Sequence, residues 1–394
     1  MNIEEEIKKK VAEYAQEHIQ IRRHLHQYPE LSTQEKETGK YIEQKLTQWN
    51  IPFQSGYSGY GVLACIQGRN PDKRCVALRS DMDALPIEEA TGLSFSSKNE
   101  GVMHACGHDV HMACLLGAAH ILQQMRDKLE GTIKLLFQPS EEDFRAGAPV
   151  MIKEGVLENP RPEKIYALHV LPEMPCGQLG FKEGQYMAST DEIYLNVKGK
   201  AGHGATPELN VDTVLTAAYI LTGLQQIVSR QAPPYIPTVL SFGRIIGEGR
   251  TNINPGEVKI DGTLRTFDEQ WRSRAHDRIK ICAENIAQAM GASCEVFIDH
   301  GYPFVWNNAQ ATAKARSLAE SLLGKDKVKE LNLRMTAEDF AYYTHEIPGC
   351  LFRLGTAKES TDNTHANLHT DCFDVDERAI AIGVEMFSIL GFRS

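Results

Sequence analysis

The chain has 394 residues, 42% of them hydrophobic and 24% charged, with a net charge of -10. That is the composition of a soluble globular protein long enough for two domains. The acidic balance argues against a nucleic-acid partner, which needs clustered Lys and Arg, and no apolar run approaches a membrane span.

The first residues are acidic and then basic, through Lys8, Lys9 and Lys10, without the apolar core of a signal peptide. Nine scattered cysteines, an odd number, fit reduced thiols and a cytoplasmic location better than a disulfide framework. Ile7, Val11, Tyr14, Ala15, Ile19 and Leu25 give the opening stretch helical spacing, ended at Tyr28-Pro29-Glu30. Arg22, Arg23, His24 and His26 lie on this expected surface helix without a carboxylate nearby in sequence, so a structural or supporting role is expected for them. A second helix is expected from Ser32 or Thr33 to Trp49, with a side-chain cap at its start.

Gly61 to Ile66 and Cys75 to Arg79 read as buried strands. The second leads into Asp81 and Asp83, and open α/β sheets collect their working residues where strands end. Capping of the following turn is the plainer use for such aspartates. The densest stretch is Met103 to His111, with three histidines, Cys106 and Asp109 in nine residues. The Cys106 thiolate and His108 imidazole can reach one metal ion if the backbone bends sharply, and Gly107 permits that bend. A buried helix from Val110 to Met125 follows.

Thr132 to Phe137 forms another strand, ending at Gln138-Pro139-Ser140-Glu141-Glu142. Of two adjacent carboxylates, one can bind a metal while the other faces a bound water, as metal-assisted hydrolysis requires. A solvated acidic turn is the competing reading. Ile165 to Leu168 gives a further strand ending at His169. Three strand ends thus deliver Asp81 with Asp83, Glu141 with Glu142, and His169.

From Asp191 the pattern changes. Strand Asp191–Lys198, helix Val211–Ser229, strands Thr238–Ile246 and Glu257–Thr266, helix Glu269–Met290 and strand Ser293–Asp299 follow one another. This is the β-α-β-β-α-β order of a ferredoxin-like unit, expected here as an insertion. Its notable residues are His203, Asn252 and Arg265. The expected domains are therefore 1–184 with 300–394, and an inserted 185–299. The last segment carries a helix from Ala309 to Leu323, a strand near Cys350 to Leu354 and a helix from Asp376 to Leu390. Between these last two elements, His365 and His369 both offer imidazoles, and spacing does not choose between them.

Asp81-Met82-Asp83-Ala84-Leu85-Pro86, His104-Ala105-Cys106-Gly107-His108-Asp109, Phe137-Gln138-Pro139-Ser140-Glu141-Glu142 and Leu368-His369-Thr370 occur in this order. Together they resemble the aminoacylase, hippurate hydrolase and indoleacetyl-amino-acid hydrolase branch of the carboxypeptidase G-like metallopeptidases, over almost the whole chain. Two departures concern the pocket wall and hence the substrate. Ser140 stands where that family usually has alanine, and Asp143-Phe144-Arg145-Ala146 replaces a glycine-rich run.

The resemblance implies an α/β fold, with a mixed-sheet metallopeptidase catalytic domain and an inserted ferredoxin-like lid and dimerisation domain. It implies one or two divalent ions, manganese or zinc first and cobalt or nickel after them, on Cys106, His108, Glu142, His169 and His369, with Cys106 shared. It makes Glu141 the general base and Asp83 the carboxylate that orients a ligand histidine. His203 would polarise the scissile carbonyl, across the interface of a homodimer, while Asn252 and Arg265 would bind substrate carbonyl and carboxylate. His365 receives no role. The expected reaction is hydrolysis of an N-acyl amino acid to a carboxylic acid and a free amino acid. A dipeptidase or carboxypeptidase acting on a small peptide is the alternative. A non-catalytic metal-binding protein is a remoter one, because a closed structural site has no use for a spare carboxylate.

Overall fold

Uninterrupted apolar runs build strands that are covered on both faces. In the computed structural model, which describes residues 2–144, 146–358 and 366–394, every residue of Cys75–Asp81 and Thr132–Gln138 is buried. Arg145 and His365 lie outside the described residues. The chain divides into two compact units, one of Met1–Tyr186, Trp306–Asn332 and Asp339–Ser394, the other of Met187–Val305 and Leu333–Glu338.

The first unit is built on an eight-stranded mixed sheet. Its order is Phe53–Tyr57, Gly61–Gln67, Thr132–Gln138, Cys75–Asp81, Lys164–Pro175, Gly349–Ala357, Leu179–Phe181 and Val328–Glu330. The four central strands are parallel to one another. Asp81 is in register with Gln138. Asp83 and the pair Glu141 and Glu142 therefore leave the sheet at the same edge, as the strand-end expectation requires.

His169 departs from that expectation. Its strand continues to Pro175 because Gly349–Ala357 pairs along it, and His169 sits mid-strand opposite Arg353. The second helix also differs, running Lys36–Gln48 without a side-chain hydrogen bond from its N-cap residue, Glu35. Thr33 has a positive φ of 66° and cannot serve as the expected cap. The Glu30 carboxylate accepts from the backbone N–H groups of Glu37 and Thr38 instead, satisfying two of the orphan donors.

Helix His108–Gln124 is buried at every residue from His108 to Leu122 and packs against helices Ile3–Gln27 and Arg378–Arg393. The first of these is not the surface helix expected from sequence. Its Arg22 and His26 are buried, and both reach the carboxylate of Asp109, at 2.7 Å and 2.9 Å. The partner absent from the local sequence comes from the start of the buried helix.

The second unit has one antiparallel sheet, in the order Thr238–Ile246, Glu257–Thr266, Asp191–Lys198 and Ser293–His300. Helices Thr213–Gln226 and Glu269–Ala289 pack on each other, and each is capped by an aspartate accepting from a first-turn N–H, Asp212 from Leu215 and Asp268 from Trp271. Alternate residues Ile193, Leu195 and Val197 enter a core shared with Ile220, Leu224, Trp271 and Ile279. This is the ferredoxin-like order, lying between two parts of the chain that build the first unit. Among the described residues, no helix is long and apolar enough to cross a membrane. All nine cysteines are free thiols.

Candidate metal centre

The turn before helix His108–Gln124 places the first donors. Gly107 adopts φ +85°, and a Cβ there would lie 2.6 Å from a methyl of Val170. Only glycine allows both the left-handed turn and this close approach, which brings Cys106 against the strand carrying His169. Cys106 Sγ lies 3.5 Å from His169 Nε2 and 3.3 Å from His369 Nε2. His369 is itself held at φ 62°, an unusual conformation for a non-glycine residue, with its N–H donated to Ala105 O at 2.9 Å.

Overlapping groups of donor atoms result, and three of them, each with all its members within 4.8 Å of one another, hold the expected ligands. They are Cys106, His108 and His169; Cys106, Glu142 and His369; and His108, Glu141 and Glu142. Every residue expected from sequence as a ligand, together with Glu141, falls in this cluster. Cys106, His108 and Glu142 are each shared between two of these groups.

Hydrogen bonds fix which ring atoms face inward. His108 Nδ1 lies 2.9 Å from Asp83 O and 3.2 Å from Asp83 Oδ1, both acceptors, so it carries the proton. Its Nε2 is buried and has no hydrogen-bond partner. His169 Nδ1 donates to Val170 O at 2.8 Å, which leaves its Nε2 lone pair toward Cys106. The second Asp83 oxygen accepts from Ser32 Oγ at 2.6 Å and from Glu142 N–H at 2.9 Å. Asp83 thus fixes a histidine and the backbone of a carboxylate at once.

The field favours positive charge at His108 and His369, whereas burial, Arg353 and His111 hold the His169 imidazole well below the ordinary histidine value. Burial alone would lower the His108 imidazole, but Asp81, Cys106 and the Asp83 hydrogen bond raise it well above the ordinary histidine value. Hydrogen bonds to Cys106 and Glu142 push His369 up to about 10. The side of the pocket where carboxylates and Cys106 surround His108 and His369 is suited to a divalent cation. Its thiolate, imidazole and carboxylate donors are those that bind transition metals, and the unpartnered His108 Nε2 is an unused ligand atom.

The profile of peptidase family M20/M25/M40 matches residues 77–390. The chain belongs to that family. An N-acetyl-L-cysteine deacetylase of Bacillus subtilis is 40% identical over 92% of this chain and 84% of its own. Thermostable carboxypeptidase 1 of Saccharolobus solfataricus is 36% identical over 100% of this chain and 99% of its own. Among solved structures, a Bacillus subtilis protein described as a dinuclear metal binding peptidase of family M20 superposes with a TM-score of 0.81. It is 34% identical, with 97% of this chain and 98% of that one covered.

Other residues surround the M20 cluster, two of them histidines to which the sequence assigned no role. His111 follows His108 by one helical turn, a spacing that places both on one face. Its Nε2 accepts from Val170 N–H at 2.9 Å, so its Nδ1 carries the proton and donates to Asp81 Oδ1 at 2.6 Å. Both ring nitrogens are committed, and His111 acts as a brace between helix and strand. His104 is buried, and burial lowers its imidazole to about 4, so it packs as a neutral ring. Ser140, one of the departures from the M20 pattern, adopts φ 57°. Its N–H and hydroxyl both meet Glu35 Oε1, and its Oγ accepts from Thr33 N–H.

The other three expected site residues lie in the second unit. His203 and Asn252 are exposed and belong to adjoining segments: His203 pairs with Ile253, and Gly204 N–H donates to Asn252 O at 2.8 Å. Arg265 is half-buried on strand Glu257–Thr266, where burial lowers its guanidinium and Thr263 Oγ1 accepts from its Nε.

Proposed function

We propose that this M20 protein hydrolyses N-acyl amino acids in a metal-dependent reaction, releasing a carboxylic acid and a free amino acid. The observation that carries the reading is a cluster of the buried Cys106, His108 and His169 with half-buried Glu142 and exposed His369, and the second carboxylate, Glu141, at its side. Cys106, His108, Glu142, His169 and His369 are the residues that would hold one or two divalent ions, zinc or manganese by their donor types. When bound, such an ion supplies Lewis acidity and lowers the pKa of a bound water toward about 7.

The chain's own groups do the remaining work. Glu141 takes the proton of the attacking water and later returns it to the leaving amine nitrogen. Asp83 keeps the His108 proton on Nδ1 and so keeps Nε2 a ligand. Replacing Asp83 by Asn should weaken metal binding by about 10–100-fold. Competition against a chromophoric chelator measures this, and unchanged affinity would remove Asp83 from that role.

The proximity of His203 and Asn252 in their own unit supports a joint role toward the substrate carbonyl, with Arg265 matched to a carboxylate by its planar fork of donors. A homodimer through the second unit is supported by its edge strand, where Ile245 is 53% exposed, and by Val214, Leu215 and Tyr219 exposed on its first helix.

The carboxypeptidase relative favours a second reading, cleavage of a peptide bond. A panel of acetyl, benzoyl and indoleacetyl amino acids with several dipeptides separates the two. The expected result is cleavage of acyl amino acids, abolished by a chelator and restored by manganese or zinc. Preferential dipeptide cleavage would establish the peptidase reading, and metal binding without any turnover would sink both.

A further inference from the structure

One buried carboxylate of the first unit is absent from the chemistry above. Asp339 is fully buried, and among the described residues its side chain accepts from Arg79 Nη2 on Oδ1 at 2.6 Å and from Gln138 Nε2 and Ala148 N–H on Oδ2 at 2.6 Å and 2.9 Å. Its own backbone N–H donates to Glu141 Oε1 at 3.2 Å. The side chain is therefore clamped while the main chain of the same residue holds the carboxylate that moves the proton.

The clamp continues in the other direction. Arg79 is buried and gives Nε to Gln138 Oε1 at 2.9 Å and Nη1 to Asp81 Oδ2 at 2.7 Å. Asp81 Oδ1 accepts from His111, whose other ring nitrogen accepts from Val170 N–H, beside His169. An unbroken run of hydrogen bonds thus links the main chain next to a ligand histidine to the oxygen of Glu141.

We propose that Asp339 is a positioning residue for Glu141, and that Arg79 and Gln138 set it by gripping its carboxylate. Glu141 has one rotatable carboxyl beside a cluster of strong charges, and its aim decides whether water and leaving nitrogen both fall within its reach. Displacement of a reacting group by about 1 Å can cost about 100-fold in rate. A buried Asp held by one Arg79 nitrogen, the Gln138 amide and the Ala148 N–H has one orientation available, since turning it would leave several donors unpaired.

The proposal rests on Glu141 as the base of the hydrolase, so the full-length manganese-loaded protein, its E141Q variant and the Asp339 variants are compared on one N-acetyl amino acid. Asp339→Asn keeps the shape but sets an NH2 group against Arg79 in the Oδ1 place or against Gln138 and Ala148 in the Oδ2 place. Its kcat should fall by about 10–100-fold while KM and bound manganese stay within roughly twofold. Adding Gln138→Glu to Asp339→Asn returns the negative charge to the clamp and gives the new amide an acceptor, so part of the lost kcat should come back. A purely structural Asp339 would lower metal content and folded fraction together, and the charge exchange would not restore kcat.

A folded Asp339→Asn protein with parental kcat, beside an inactive E141Q protein, overturns the proposal and leaves the hydrolase reading standing. An inactive parent overturns both. Should Asp339→Asn not fold, Gln138→Asn withdraws one donor without adding charge, and a folded Q138N protein with unchanged kcat overturns the proposal equally.

Discussion

Exchange of Glu141 for Gln is expected to lower kcat by about 100- to 10,000-fold, the share that a positioned general base contributes. The substitution preserves volume and leaves an amide oxygen able to accept from Asp339 N–H, so the loss reflects the missing proton acceptor. Bound metal, measured by elemental analysis, should stay at the parental ratio, because Glu141 is the carboxylate not required for ligation. Glu142→Gln is the informative contrast, since it should reduce metal content first and activity as a consequence. Parental turnover in the E141Q protein would show that another group removes the proton.

The second large effect concerns stability. Arg22 and Asp109 are both fully buried and meet at 2.7 Å, with His26 on the same carboxylate oxygen. Burial alone would raise the Asp109 carboxyl, but Arg22 and His26 outweigh it and hold it well below the usual carboxylate range. Arg22→Met fits the space but leaves that buried carboxylate with His26 as its one remaining cation among the described residues, and breaking such a pair costs about 3–5 kcal/mol. The first unit should unfold at a markedly lower urea concentration, read by circular dichroism. Arg22→Met with Asp109→Asn should recover much of the loss, because the fully buried carboxylate charge is removed together with its partner. Equal stability of the single variant and the parent would mean that water reaches Asp109.

Much of the site can be read from the sequence because its signals are local. A cysteine and a histidine flanking one glycine, two aspartates leaving a buried strand and a glutamate pair leaving the next are visible within a few residues. The ferredoxin-like order is equally local, since each of its elements has its own periodicity and two carry aspartate caps. Nonlocal pairing defeats the same reading. Nothing near His169 says that its strand continues, because the strand opposite is Gly349–Ala357. Nothing near Asp339 marks it, because Arg79 lies 260 positions away. On the first helix, His18, Arg22 and His26 repeat every four residues on the face that carries Ile7, Val11 and Leu25. Their spacing follows the core, but their polarity disguises it until Asp109 is seen opposite.

The partnership of Lys164–Pro175 with Gly349–Ala357 also fixes an order of assembly. As the chain leaves the ribosome, the earlier strand can pair on one side with Cys75–Asp81, but its other edge must wait. Roughly 170 residues separate the two partners, which at ordinary translation rates is a delay of roughly 10–35 s. All four strands and both helices of the ferredoxin-like unit emerge in that interval, with their own core, and can fold while the large sheet is still half open. The exposed edge during the wait carries His169, so the nascent chain is most open to mispairing along the strand on which its chemistry depends.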